Sequence, residues 1–124
     1  MAYGWDRHHA MNHIAKGAHK VAHWNETYAK DTARYANDDI LMTFVTNHDE
    51  NSWKGTIKER MGDASESLTA LSYVAPGMPL IYSGQEYGLD HRLKFFEKDE
   101  IPSAKGKEWE LLEKLGQLKA TNKA

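Results

Sequence analysis

At 124 residues the chain is sized for a single domain. Its 16 Lys and Arg against 18 Asp and Glu leave a formal charge of −2, which gives no field to recruit nucleic acid or anionic lipid. The absence of cysteine excludes disulfides, thiolate catalysis and Cys-ligated zinc, and is compatible with either redox environment. No apolar run approaches the ~20 residues of a membrane span. The opening MAYGWDRHH has no apolar core, so it does not read as a signal peptide. Apolar residues make up 40%, with 4 Trp, 6 Tyr and 3 Phe, which supplies a folded core and argues against disorder.

Asp6 is placed to cap a helix from Arg7 to Lys16, with Ala10, Met11, Ile14 and Ala15 on its apolar side and Gly17 as its stop. Val21, Trp24, Tyr28, Thr32 and Tyr35 recur at three- to four-residue spacing and predict a second amphipathic helix. Ile40 to Val45 is a near-continuous apolar run too short for a helix, the pattern of a parallel strand covered on both faces. It ends in the polar segment Thr46-Asn47-His48-Asp49-Glu50-Asn51. Asp63, with Glu66 three residues on, predicts a capping box for a helix carrying Ala64, Leu68, Leu71, Val74 and Ala75, ended by Pro76-Gly77. Met78 to Tyr82 is a second short apolar run, followed by the polar exit Ser83-Gly84-Gln85-Glu86. A last helix is expected from about Ser103 to Thr121, with Trp109, Leu111, Leu112, Leu115 and Leu118 inward.

The predicted order is α-α-β-α-β-α, an α/β chain whose strand–helix–strand centre implies parallel pairing with a right-handed crossover. Two parallel strands cannot form a covered sheet alone. Residues 1–124 therefore read as one domain that is part of a larger architecture, or as a chain that completes its sheet by self-association.

The polar exits carry a resemblance. Phe44-Val45-Thr46-Asn47-His48-Asp49-Glu50-Asn51 resembles the strand-seven motif of the α-amylase family of glycoside hydrolases, whose core is N-H-D. Gly77-Met78-Pro79-Leu80-Ile81-Tyr82-Ser83-Gly84-Gln85-Glu86 resembles the family's strand-eight signature, and Phe95-Phe96-Glu97-Lys98-Asp99 the segment after it. Ala2-Tyr3-Gly4-Trp5 and the helix after it resemble the stretch just past strand six, so the likeness spans essentially the whole chain. It implies a C-terminal part of a (β/α)₈ barrel, whose complete form takes ~250 residues. It also implies retaining cleavage of α-glucosidic bonds in starch-like glucans. In that family a nucleophilic Asp follows strand four, an acid/base Glu follows strand five and a third Asp follows strand seven. Only the third has a counterpart here, Asp49.

By the same resemblance Asp49 stabilises the distorted, oxocarbenium-like sugar ring, and His48 and Asn47 bind the substrate beside it. Trp53, four residues past Asp49, is placed to stack on a sugar face or to pack on the barrel rim. Gln85 and Glu86 read as supports, and Glu50 as structural. Because retaining hydrolysis needs two carboxyl groups ~5–5.5 Å apart, the chain alone is expected to be inactive. It is expected to bind α-glucan weakly at best, and to form a homo-oligomer, a two-fold dimer foremost. The alternative from another class is a non-catalytic, self-associating folded module. His48-Asp49 also matches part of an HD-type metal phosphohydrolase site, but the other spaced His and Asp ligands are missing.

Seven histidines include two i,i+4 pairs, His9/His13 and His19/His23, without the Glu of an HExxH motif or an evident third ligand. The calcium ligands of many family members come largely from segments with no counterpart here. No metal or other cofactor is expected.

Overall fold

The computed structural model describes residues 1–122 and arranges three short parallel strands in the order β1-β2-β3: Ala2–Tyr3, Leu41–Thr43 and Met78–Pro79. Ala2 pairs with Leu41 and Tyr3 with Met42, while Met42 pairs with Met78 and Thr43 with Pro79. Around them run α1 (Trp5–Ala15), α2 (Ala22–Arg34), α3 (Ile57–Met61), α4 (Ser65–Val74) and α5 (Lys107–Thr121). No helix is long and apolar enough to cross a membrane among the described residues.

The expected α-α-β-α-β-α order therefore lacks a strand at its start. Ala2 and Tyr3 are too few to show a period-2 pattern, and their pairing is set by the neighbouring strand, with Ala2 N donating to Ile40 O at 3.0 Å and Gly4 N to Met42 O at 2.8 Å. The two apolar runs also extend past their strands. Ile40 lies before β2, and Phe44 and Val45 are wholly buried beyond its end. Pro79 has no N–H to extend the ladder, and β3 stops there, although Leu80 N still donates to Thr43 O at 2.8 Å.

Helix ends differ from expectation for identifiable reasons. α1 starts at Trp5, one residue before the expected cap, because the β1 ladder hands the chain straight into Gly4. The capping box forms not at Asp63/Glu66 but at Thr56/Glu59, where Thr56 Oγ1 accepts from Glu59 N and the Glu59 carboxylate accepts from Thr56 N. Asp63 lies instead in a 3₁₀ turn, Gly62–Ala64, that bends α3 into α4. On α2 the buried residues are Thr27 and Asp31, one step around from the expected stripe. Val21 and Tyr28 face outward because Arg7 of α1 reaches across to Asp31, Nε to Oδ2 at 2.8 Å, with both side chains buried. On α4 Val74 is exposed and Tyr73 buried, because α5 docks Leu112 and Leu115 on Tyr73. α5 itself begins at Lys107, after Gly106, rather than near Ser103, and Leu118 is outward-facing.

The main core joins Met11 of α1, Val45 past β2, Met61 of α3 and Leu68 of α4, with Trp24 of α2 packed against it. It thus lies between the sheet's exit and the helix layer. The sheet is not covered all round. Tyr3, Ile40, Met78 and Ile81 are each 42–46% exposed.

Gly77 sets the spacing between β2 and β3. Its φ is +124°, and a Cβ there would lie 2.3 Å from the Leu41 carbonyl oxygen, a backbone atom with no room to withdraw. Gly77→Ala is expected to destabilise the fold by about 2 kcal/mol or more, read as a lower urea midpoint at unchanged m-value.

Candidate functional site

The segment leaving β2 divides its side chains between interior and solvent. Asn47, Glu50 and Asn51 are buried; His48 and Trp53 are exposed and Asp49 is half-exposed. A single π turn, Glu50–Lys54, accomplishes this and closes with Gly55 N donating to Glu50 O at 2.9 Å. Asn47 Oδ1 accepts from Glu50 N at 2.9 Å, so Asn47 builds the loop from beneath. Its Nδ2 is buried and has no partner within the described structure.

Beneath the loop is a polar network tied to α1 and α3. His8 stacks on Phe44 at 4.6 Å between ring centres and is fully buried. Its Nδ1 donates to the Phe44 carbonyl at 3.1 Å, so that nitrogen carries a hydrogen. Nε2 lies 2.8 Å from Glu50 Oε2 and 3.1 Å from Asn12 Nδ2, so the ring is held at both nitrogens. Burial lowers the His8 pKa, against the pull of Glu50 and the Phe44 carbonyl. Asn12, one turn along α1, donates to His8 O and accepts from Arg60 Nη1, both at 2.9 Å. Arg60 also donates from Nε to Gly55 O at 2.9 Å and from Nη2 to Val45 O at 2.8 Å. Burial lowers its pKa while Glu50 and Glu59 oppose that, and a guanidinium remains charged throughout the physiological range.

Asn51 and Ser52 tie the loop after β3 to the same frame. Asn51 Oδ1 accepts from Leu93 N at 2.8 Å, and Ser52 Oγ donates to Leu93 O at 2.7 Å. This brings Phe95 to 5.1 Å from Trp53 and 6.3 Å from His48, centre to centre, with Phe96 4.8 Å from Phe95. Trp53, Phe95 and Phe96 are 56%, 40% and 85% exposed, so an open aromatic shelf stands beside His48 and Asp49. His48 Nε2 and Asp49 Oδ2 are 3.6 Å apart at the surface. The structure thus groups His48, Asp49 and Trp53 on one outward side and puts Asn47 below them.

Trp53 packs on Phe95 and Phe96 while remaining largely exposed. Phe95 and Phe96 as partners of that shelf were not foreseeable from spacing, because Asn51 and Ser52 place them. Gln85 and Glu86 close their own turn, Gln85 Oε1 accepting from Tyr82 N and Glu86 Oε2 from Gly84 N. A cavity of about 510 Å³ lies elsewhere, between α4 and α5, lined by Thr69, Gln85, Leu89, Glu108 and Leu112 among others. It contains none of the residues of the β2 exit, so its size carries no weight against the loop chemistry.

Among the histidines, His13 joins His19 and His23 rather than pairing with His9, which stacks on Trp5. Desolvation, then the neighbouring His19, His9, His23 and Lys16, lower the His13 pKa.

Residues 4–119 match the family model of the alpha amylase catalytic domain. No curated protein matches the sequence. Among solved structures the chain is similar to a maltogenic alpha-amylase, AmyB, from Thermotoga neapolitana, at 21% identity and a TM-score of 0.81, over 97% of this chain and 28% of that one. It is also similar to an alpha-amylase from Lactobacillus plantarum, at 22% identity and a TM-score of 0.75, over 94% of this chain and 28% of that one. The chain therefore spans about a quarter of the length of these two structures, and the likeness is one of fold.

The neighbouring carboxylates Asp49 and Glu50 should separate in a stability measurement. Glu50→Ala leaves the buried His8 Nε2 without its carboxylate partner and removes a carboxylate that opposes the cost of burying Arg60, and should cost about 3 kcal/mol. Asp49→Asn, at a surface position, should stay within about 0.5 kcal/mol of the parent. Urea unfolding of both variants followed by circular dichroism checks the contrast.

Proposed function

Because the chain belongs to the alpha-amylase family, through a match covering residues 4–119, we propose that it supplies the C-terminal strands and the Asn47-His48-Asp49 loop of a glucan-cleaving barrel. The observation that carries this reading is the placement of Asp49 and His48 just past the C-terminal end of β2, beside the Trp53–Phe95–Phe96 shelf. That end of a parallel barrel strand is where such folds carry their chemistry.

In this reading the substrate is a starch-like glucan and the reaction is retaining cleavage of α-glucosidic bonds. Asp49 accepts hydrogen bonds from sugar hydroxyls and favours the ring's oxocarbenium-like form. A charge-assisted bond of this kind strengthens as positive charge grows on the ring, so it lowers the barrier rather than merely binding substrate. His48 donates to the same sugar, and Trp53 with Phe95 presents an apolar face to the pyranose. Asn47 acts indirectly, by holding the loop through its bond to the Glu50 amide. Glu50 takes no part in acid/base work, since its carboxylate is buried against His8.

Residues 1–124 contain no segment resembling the strands that carry the nucleophile and the acid/base. One stabilising carboxylate cannot replace covalent catalysis. The chain alone should release no reducing sugar from starch and show no micromolar binding of maltooligosaccharides by calorimetry. Mixed with the remaining segments of a family barrel it should gain activity, and Asp49→Asn should then remove about 10²–10³-fold of it. Sugar release by the isolated chain that vanishes in Asp49→Asn would contradict this reading.

We also propose that the sheet of the isolated chain pairs with a second copy. The outer sides of β1 and β3 are unpaired among the described residues, and Tyr3, Ile40, Met78 and Ile81 are partly open around them. An open parallel edge is a template for another strand. In isolation the available partner is a second copy, and closed two-fold symmetry is the commonest outcome. Light scattering across a dilution series should report a dimer; a stably folded monomer at every concentration would sink this claim and leave the amylase reading intact.

A further inference from the structure

α1 and α2 are joined by a tight reversal, and it gathers three imidazoles. Gly17, at φ +74°, turns the chain just past the helix end. The His13 carbonyl then accepts from both Ala18 N, at 2.9 Å, and His19 N, at 3.4 Å, which folds the loop back over the last turn of α1. His23 follows in the first turn of α2, its amide bonded to Lys20 O at 2.9 Å. Ring centres stand 5.1 Å apart for His13–His19, 4.1 Å for His19–His23 and 6.5 Å for His13–His23. One nitrogen from each ring lies within 4.8 Å of the other two.

We propose that His13, His19 and His23 form a binding site for one late first-row divalent metal ion of the zinc class, clamping α1 to α2. Three imidazole nitrogens are a common ligand set for zinc, with water in the fourth position. At zinc–nitrogen bonds of about 2.0–2.1 Å, tetrahedral ligands stand roughly 3.3 Å from one another. Closing from within 4.8 Å needs rotations of side chains, two of them exposed and packed only on one another and on His23. His23 Nδ1 lies 3.5 Å from Glu26 Oε2, a carboxylate near enough to orient the ring by that nitrogen and leave Nε2 for the ion. The purely nitrogen ligand set disfavours calcium and magnesium, which take oxygen. The site stands on the helix layer, apart from the β2 exit loop, and is independent of the amylase reading.

Zinc chloride titrated calorimetrically into the full chain should bind with one-to-one stoichiometry and micromolar or tighter affinity. It should raise the melting temperature, and EDTA should reverse the rise. His13→Ala, His19→Ala and His23→Ala should each weaken binding by about tenfold or more, while His9→Ala leaves it unchanged. Calcium chloride should produce neither heat nor a shift. Absence of saturable zinc binding, or equal binding by the triple variant, would overturn the proposal. So would a single substitution among the three that leaves affinity untouched, since the site would then not be a three-histidine one. Circular dichroism of each variant confirms that the fold is retained.

Discussion

The guanidinium of Arg60 is the constraint on which the β2 exit loop and its supports depend. It is buried, it cannot shed its charge, and its three bonds reach Gly55, Asn12 and Val45. A charge in such a place is tolerated only if its donors find acceptors and an opposite charge lies near. Asn12 relays it to α1, Val45 anchors it to the strand exit, and the Glu50 carboxylate, in contact with His8, opposes the cost of its burial. The loop that presents His48 and Asp49 is therefore not a free surface loop. It is one side of a closed polar frame whose other sides are two helices and a strand end.

That frame also explains which parts of the molecule could be read from residue order. The strand at 41–43, its parallel pairing with 78–79 and the C-terminal end of α4 follow from short apolar runs and from Pro76-Gly77, because local sterics decide them. The Asn47-His48-Asp49 exit was legible through its flanks. β1 was not, since two residues carry no periodicity and take their conformation from pairing with residues 40–42. The outward turn of Val21 and Tyr28 was not, since the Arg7–Asp31 pair, 24 positions apart, sets the rotation of α2. The capping box moved from Asp63 to Thr56 because Glu59 is equally three residues on, and Thr56 is additionally held by Asp90.

Histidine shows the same lesson in another form. Two i,i+4 pairs were visible as spacing, but spacing within a helix says nothing of what a reversal does. Gly17 brings a residue of the connection over the end of α1, so His13 finds its neighbours on the following segment and not one turn behind. His8, unremarked by any motif, turns out to be the most enclosed of the seven, stacked on Phe44 and bonded at both nitrogens.

The π turn at Glu50–Lys54 has a geometric meaning for change in this loop. Its wider ring accommodates one residue more than an α turn would, and that extra residue lets consecutive side chains fall on opposite sides: Asp49 outward, Glu50 and Asn51 inward, Trp53 outward again. Loss or gain of one residue there would rotate the whole alternation. It would carry a carboxylate meant for the surface into the Arg60 frame, and expose the one that neutralises it. The loop is thus a phase-locked segment: its length is fixed by charge beneath it as firmly as its exposed face is open to variation.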